Sequence, residues 1–172
     1  MLIAIVDPRF YTHHGADLEK PGARMTTLTQ GLVKLLYLPD GFHQGIAKLR
    51  QSLIAKYTLN SIVTKDDQLL LFLNICYLGH GNDQPVNGLA NGARVYFNKD
   101  FSAISEDEFL SLIAMLSGPN NLKPGSSANE EKVQQIKLSL YDKAVNNFEP
   151  QRPFSHRVSM VVIKLITDTI PS

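Results

Sequence analysis

Alternation of apolar and polar residues dominates no region of this chain. Apolar side chains instead return at three- and four-residue spacing in one segment after another. That period belongs to the α-helix, and it commits the chain to a mainly α fold in which each helix buries one stripe against another. Leu28, Leu32, Leu35 and Leu36 share a face of a helix expected from about Thr26 to Leu38, ended by Pro39-Asp40-Gly41. Ile46, Leu49, Leu53, Ile54 and Tyr57 form the stripe of a second helix, about Gln44 to Leu59, with Lys48, Arg50 and Lys56 on its other faces. Thr64 is placed to cap a third, with Asp66 and Asp67 at its positive end. Leu69 to Leu73 is apolar all round, which predicts a buried central helix.

Ser105-Glu106-Asp107-Glu108 carries the capping-box pattern and opens a helix to about Leu116. Two more are expected at about Glu130–Asn146 and Ser155–Thr169. Leu2 to Val6 is a short apolar run, strand or first helical turn, stopped by Pro8. Gly79 to Pro85 reads as a loop, and Pro124 to Asn129 as the most linker-like stretch. Gly88 to Tyr96 is rich in small residues that let helices approach closely.

At 172 residues a single domain over 1–172 is expected, with room for a real core. A net charge of +1 and no basic cluster exclude a nucleic-acid footprint. Cys76 is the only cysteine, so neither an internal disulfide nor a cysteine metal site can form, and a buried inert thiol is expected. The run Leu69–Leu78 is about half the ~20 residues that span a bilayer. The first six residues lack the length and basic flank of a signal peptide. The chain is therefore expected to be soluble as it stands, or to be a piece of a longer anchored protein.

Polar chemistry concentrates between Ala4 and Lys34. Val6-Asp7-Pro8-Arg9-Phe10-Tyr11-Thr12-His13-His14-Gly15 matches, apart from its first residue, the motif Glu-Asp-x-x-Phe-x-x-His-x-Gly. Arg24 to Gly31 followed by Lys34 corresponds to Gly-Gly-Ser-Thr-Ile-Thr-Gln-Gln and its lysine. Lys65 to Asn74, Gly79-x-Gly81, Tyr96-Phe97-x-Lys99 and Ala114 to Pro119 follow in the same order. Over about Ile3 to Pro124 the chain resembles the bacterial peptidoglycan glycosyltransferases, found in penicillin-binding proteins and monofunctional transglycosylases. The resemblance implies a lysozyme-like helical domain and a lipid-linked disaccharide or glycan strand as ligand. It also implies a cell-wall synthesis protein as a further partner, a membrane surface nearby, and a place at the outer face of the cytoplasmic membrane or in the periplasm.

The departures fall on the chemistry. The family's first-motif Glu, its proposed base, is Val6 here. Its third-motif Glu falls on Ser52, or on Gln51 one residue earlier, within Lys48-Leu49-Arg50-Gln51-Ser52. No Glu occurs between Glu19 and Glu106, so no shift of alignment restores the third-motif acid. Phe42 and His43 stand where the family has an Arg, and only Ala16 to Ala23 joins the first two motifs.

Glycosyl transfer from a diphosphate donor needs a base, cations for the leaving group and a cleft that aligns both sugars. Lys34, Lys48 and Arg50 are candidates for phosphate, while Thr27, Thr29 and Gln30 are candidate donors to phosphate or sugar oxygens. The helix start near Thr26 offers its positive end to an anion. Asp7 is the one catalytic candidate, a base displaced by one position and shorter by one methylene. Its competing role is structural, accepting hydrogen bonds from nearby backbone or pairing with Arg9. His13 is read first as a packing residue and second as an alternative base. No metal or cofactor is expected, because His13 and His14 are adjacent and Asp66-Asp67 reads as a helix start. Three functions remain in order: a degenerate member that binds without polymerising, an enzyme with a rewired base, and a protein-interaction module.

Overall fold

The computed structural model describes residues 1–17, 26–37 and 46–148. The chain divides into two compact units, Met1–Lys137 and Leu138–Ser172. In chain order the described elements begin with helices α1 (Leu2–Val6), α2 (Leu28–Tyr37) and α3 (Ile46–Leu53). A π-helical turn over Ile54–Leu59 leads into α4 (Asn60–Ile62) and α5 (Lys65–Ile75). Strands β1 (Tyr77–Gly81) and β2 (Gln84–Asn87) precede α6 (Leu89–Phe97), α7 (Glu106–Met115) and α8 (Ser127–Phe148). The fold is mainly helical with one two-stranded sheet, the architecture expected of a lysozyme-like domain. Among the described residues no helix is long and apolar enough to cross a membrane.

The core of the first unit is built where the sequence concentrates leucine. Leu28 and Leu32 of α2, Leu78 of β1 and Leu110, Leu112 and Ile113 of α7 are each 2% exposed or less. Each such side chain stabilises the fold by about 1.5–3 kcal/mol through area removed from water. Thr64 caps α5 by accepting the Asp67 N–H, and Ser105 and Glu108 complete the capping box of α7. Gly92 confirms the small-residue approach around α6: a Cβ there would lie 2.5 Å from Leu78 Cδ1 and 3.3 Å from Leu112 Cδ2.

Several expectations are corrected. The stretch from Gly79 to Pro85 is not a loop but most of an antiparallel hairpin, turned at Asn82 and Asp83 with φ of 51° and 59°. Both turn residues take the left-handed conformation that a two-residue hairpin turn demands and that Asn and Asp tolerate. Strands of four and five residues are too short to show a two-residue period above the helical background. Helix α5 is not buried all round. Leu70 is 60% exposed, and Gln68 and Phe72 are its buried residues.

On α2, Val33 is buried while Leu36 is 43% exposed. Three residues of the expected stripe on α3 and the π turn face outward, Leu49 63%, Leu53 47% and Tyr57 65% exposed, while Gln51, Ala55 and Leu59 face inward. Hydrogen bonding to α2 through Gln51, described below, fixes that choice of face. The linker-like stretch ends inside α8, where buried Asn129 bonds Ser111 and the Leu122 carbonyl. The expected turn at Pro39-Asp40-Gly41 and helix over Ser155–Thr169 lie outside the described residues.

Candidate functional site

Asp7 follows α1 and is 4% exposed. Its carboxylate accepts from His13 Nε2 at 2.9 and 3.1 Å and from the Leu28 backbone N–H at 2.9 Å. A carboxylate has no proton to give, so the His13 ring carries its hydrogen on Nε2. Leu28 is the first residue of α2, so Asp7 seats a negative charge at that helix's positive end. Arg9 lies 3.6 Å from Asp17. The structural reading of Asp7 therefore has a stated geometry, with His13 and a backbone amide as partners.

The rest of the α2 start is closed by its own side chains. Thr27 Oγ1 accepts the Gln30 N–H at 3.1 Å, and Gln30 Oε1 accepts the Thr27 N–H at 3.0 Å. This is the Thr-x-x-Gln form of a capping box. Thr27 Oγ1 also donates to the Gly15 carbonyl at 2.6 Å. Thr29 Oγ1 donates to Gln68 Oε1 at 2.7 Å. The helix end expected to receive an external anion thus spends two of its first-turn N–H groups, those of Leu28 and Gln30, on Asp7 and Thr27. Gly15 can sit here only as glycine: its φ is +84°, and a Cβ would lie 2.2 Å from the Ala55 carbonyl oxygen in the π turn.

Helix α3 joins α2 through Gln30. Gln51 is 1% exposed and its Nε2 donates to the Gln30 carbonyl at 2.6 Å. Gln30 Nε2 donates to Ser52 Oγ at 2.9 Å. Both residues that correspond to the family's second acid therefore touch Gln30, and neither carries charge. Lys48 Nζ donates to Thr26 Oγ1 at 3.3 Å. Partial burial, and then the nearby Lys34 ammonium, push the Lys48 pKa below its ordinary value. Lys34 and Arg50 are exposed. Of the six candidate ligand residues, Thr27, Thr29 and Gln30 are buried with polar atoms already bonded, while Lys34, Lys48 and Arg50 are exposed.

Lys65, the first residue of the motif that runs to Asn74, has surroundings that the sequence did not show. Its Nζ is buried without a hydrogen-bond partner and lies 4.7 Å from the Phe10 ring centroid. Burial lowers its pKa, and the negative charge of Asp7 opposes that shift. The motif from Lys65 to Asn74 marks this lysine, but a lysine opening a helix just ahead of two aspartates looks solvated, so its burial does not show in the sequence. His13 Nδ1 and Gln51 Oε1 are also buried without partners. His14 is exposed. His80 is exposed as well, its Nδ1 2.7 Å from the Tyr77 hydroxyl. Among the described residues no group of three or more His, Cys, Asp or Glu is gathered to hold a metal.

The first-motif turn, the capped α2 and the α3 seam occur in the order of the resemblance, and comparison with known proteins agrees. The chain is 28% identical to penicillin-binding protein 1B of Buchnera aphidicola over 141 residues, covering 74% of this chain and 18% of that protein. It is 30% identical to penicillin-binding protein 1F of Bacillus subtilis over 135 residues, 71% of this chain and 18% of that protein. Penicillin-binding protein 2D of Bacillus subtilis is 29% identical over 177 residues, covering 94% of this chain and 24% of that protein. The chain thus spans a quarter or less of the length of these relatives. The sequence profile of the transglycosylases matches residues 1–144, and the chain belongs to that family.

Proposed function

We propose that this transglycosylase-family chain binds a lipid-linked saccharide diphosphate, or the glycan made from it, without polymerising it. The observation that carries the reading is the fate of the acids. Val6 and the Gln51–Ser52 pair accept no proton as general bases, and Asp7 is buried in hydrogen bonds to His13 and Leu28. Acid–base chemistry on a sugar normally divides its work between two carboxylates. Lys34 and Lys48 remain as cations for a diphosphate. Leu49, Leu53 and Tyr57 point outward beside Lys48, Arg50 and Lys56, which suits an anionic membrane surface. Such a ligand places the chain at the outer face of the cytoplasmic membrane or in the periplasm.

The test is calorimetric titration with a water-soluble lipid II analogue, run beside a glycan polymerisation assay. The reading expects binding that Lys34→Met and Lys48→Met each weaken about tenfold or more, as loss of a charge-assisted contact requires, and no chain growth. Chain growth abolished by Asp7→Asn would instead support the rewired enzyme. Absence of binding at millimolar ligand would leave a protein-interaction module.

A further inference from the structure

We propose that Gln51 is a positioning residue whose carboxamide clamps α3 to α2 and so sets the spacing of the backbone segments that carry Lys34 and Lys48. The role of that spacing in ligand binding rests on the anion-binding reading above; the clamp itself does not. Gln30 and Lys34 are four residues apart on α2, and Lys48 is three and four residues before Gln51 and Ser52 on α3, so each lysine shares a face with its half of the clamp. The central bond is short, Gln51 Nε2 to the Gln30 carbonyl at 2.6 Å, and fully buried. The outer bond from Gln30 to Ser52 is only partly buried.

Partial burial, and then the charge of Lys34, lower the Lys48 pKa, and Lys48 Nζ also donates to Thr26 Oγ1 at 3.3 Å. The buried Gln51 bond is the contact that holds α3 against α2 beside them. The orientation of the amide is fixed, because turning it over would set its oxygen against the Gln30 carbonyl oxygen. A carboxylate at this position has no hydrogen to offer that carbonyl. At or beside the place of the family's second acid, which falls on Ser52 or on Gln51, the chain thus carries a hydrogen-bond donor to α2, and an acid at Gln51 would cost that contact.

The test uses the full chain and two readouts. The Lys48 side chain is titrated by NMR in wild type and in Gln51→Met; the charge that faces it from α2 is Lys34. Pyrophosphate affinity is measured on the same proteins by calorimetry. In Gln51→Met the Lys48 midpoint is expected to rise toward the ordinary lysine value, and the pyrophosphate Kd to rise about tenfold, equivalent to one lost hydrogen bond. A Lys48 midpoint that matches wild type overturns the proposal. If the midpoint moves but the wild type binds no pyrophosphate, the clamp stands and the anion-binding reading falls.

Gln51→Glu adds a signature that packing alone does not give. It should lose affinity relative to wild type at neutral pH, and recover it in acid, where the protonated carboxyl again donates to Gln30. Affinity equal to wild type at both pH values also overturns the clamp. Should Gln51→Met fail to fold, Ser52→Ala decides. A Lys48 midpoint that stays depressed supports Gln51 as the clamp, and one that relaxes fully overturns it.

Discussion

Replacing Asp7 by Asn separates a structural carboxylate from a catalytic one. The substitution keeps the shape and one acceptor oxygen but removes the charge. In the native protein one oxygen, Oδ2, accepts from both His13 Nε2 and the Leu28 N–H, each at 2.9 Å. An amide oxygen in the place of Oδ2 still accepts both bonds but without charge assistance, and the NH2 in the place of Oδ1 then sits 3.1 Å from His13 Nε2, where two donors oppose each other. A charge-assisted hydrogen bond contributes about 1.5–3 kcal/mol. A partly buried anion at a helix N-terminus adds about 0.3–2 kcal/mol. Relief of the buried charge offsets part of this.

The expected net loss is about 2–4 kcal/mol, which for a chain of this size lowers Tm by about 4–16 °C. Urea unfolding followed by far-UV circular dichroism reads it as a lower midpoint at unchanged slope. A variant within about 0.5 kcal/mol of wild type, the usual range for a surface change, would refute the reasoning. It would mean that Asp7 is not consumed by the fold, and the base reading would regain its candidate.

Three further outcomes are expected. Gly15→Ala should destabilise by about 2–4 kcal/mol in the same urea assay, because it joins left-handed strain to a clash with the Ala55 carbonyl; near-wild-type stability would mean that the turn and the π segment do not meet. Cys76 should resist a thiol reagent at pH 8 in the native state and react once the chain is unfolded, since burial pushes its pKa up to about 11; rapid native labelling would contradict this.

Lys99→Met should raise the Glu108 pKa, which the hydrogen bond from Lys99 and then the Ser105 N–H hold below the ordinary carboxylate value. Because the folded value is the lower one, the contribution of this pair is present above the ordinary carboxylate range. It fades as pH falls through the depressed value. Carboxyl-carbon NMR titration of both proteins checks the direction, and an unmoved midpoint would exclude Lys99 as the cause.

The helices were legible because their signals are local. The Thr64 cap, the Ser105–Glu108 box and the leucine stripe of α2 lie within a few residues of what they control. The site was legible as a place but not as a set of roles. Thr27 and Gln30 spell a capping box, yet hydroxyls and amides beside a family motif read equally well as ligand donors. What separates the two uses is whether a partner from elsewhere takes the bond. Here the partners are Asp7, Gly15, Ser52 and Gln68, the last of them 39 residues from Thr29.

The α3 face failed for a related reason. Periodicity gives the phase of a stripe but not which side meets the neighbour, and buried Gln51 reversed the usual answer. Lys65 was marked by its motif, but its burial was not legible because a lysine's environment lies in its tertiary neighbours, here the Phe10 ring and Asp7.

The wide turn at Ile54–Leu59 has a bearing on how this chain tolerates insertion and deletion. A π turn accommodates one residue more than the α-turn it replaces, without disturbing the phase of the helix on either side. Removing a single residue within it would let the segment tighten to ordinary α geometry, with Gln51 still facing Gln30 and α4 still leading to Thr64. The same deletion within α2 would rotate every later side chain of that helix by about 100°. A change of one residue in length is therefore expected to be tolerated better at this turn than within α2.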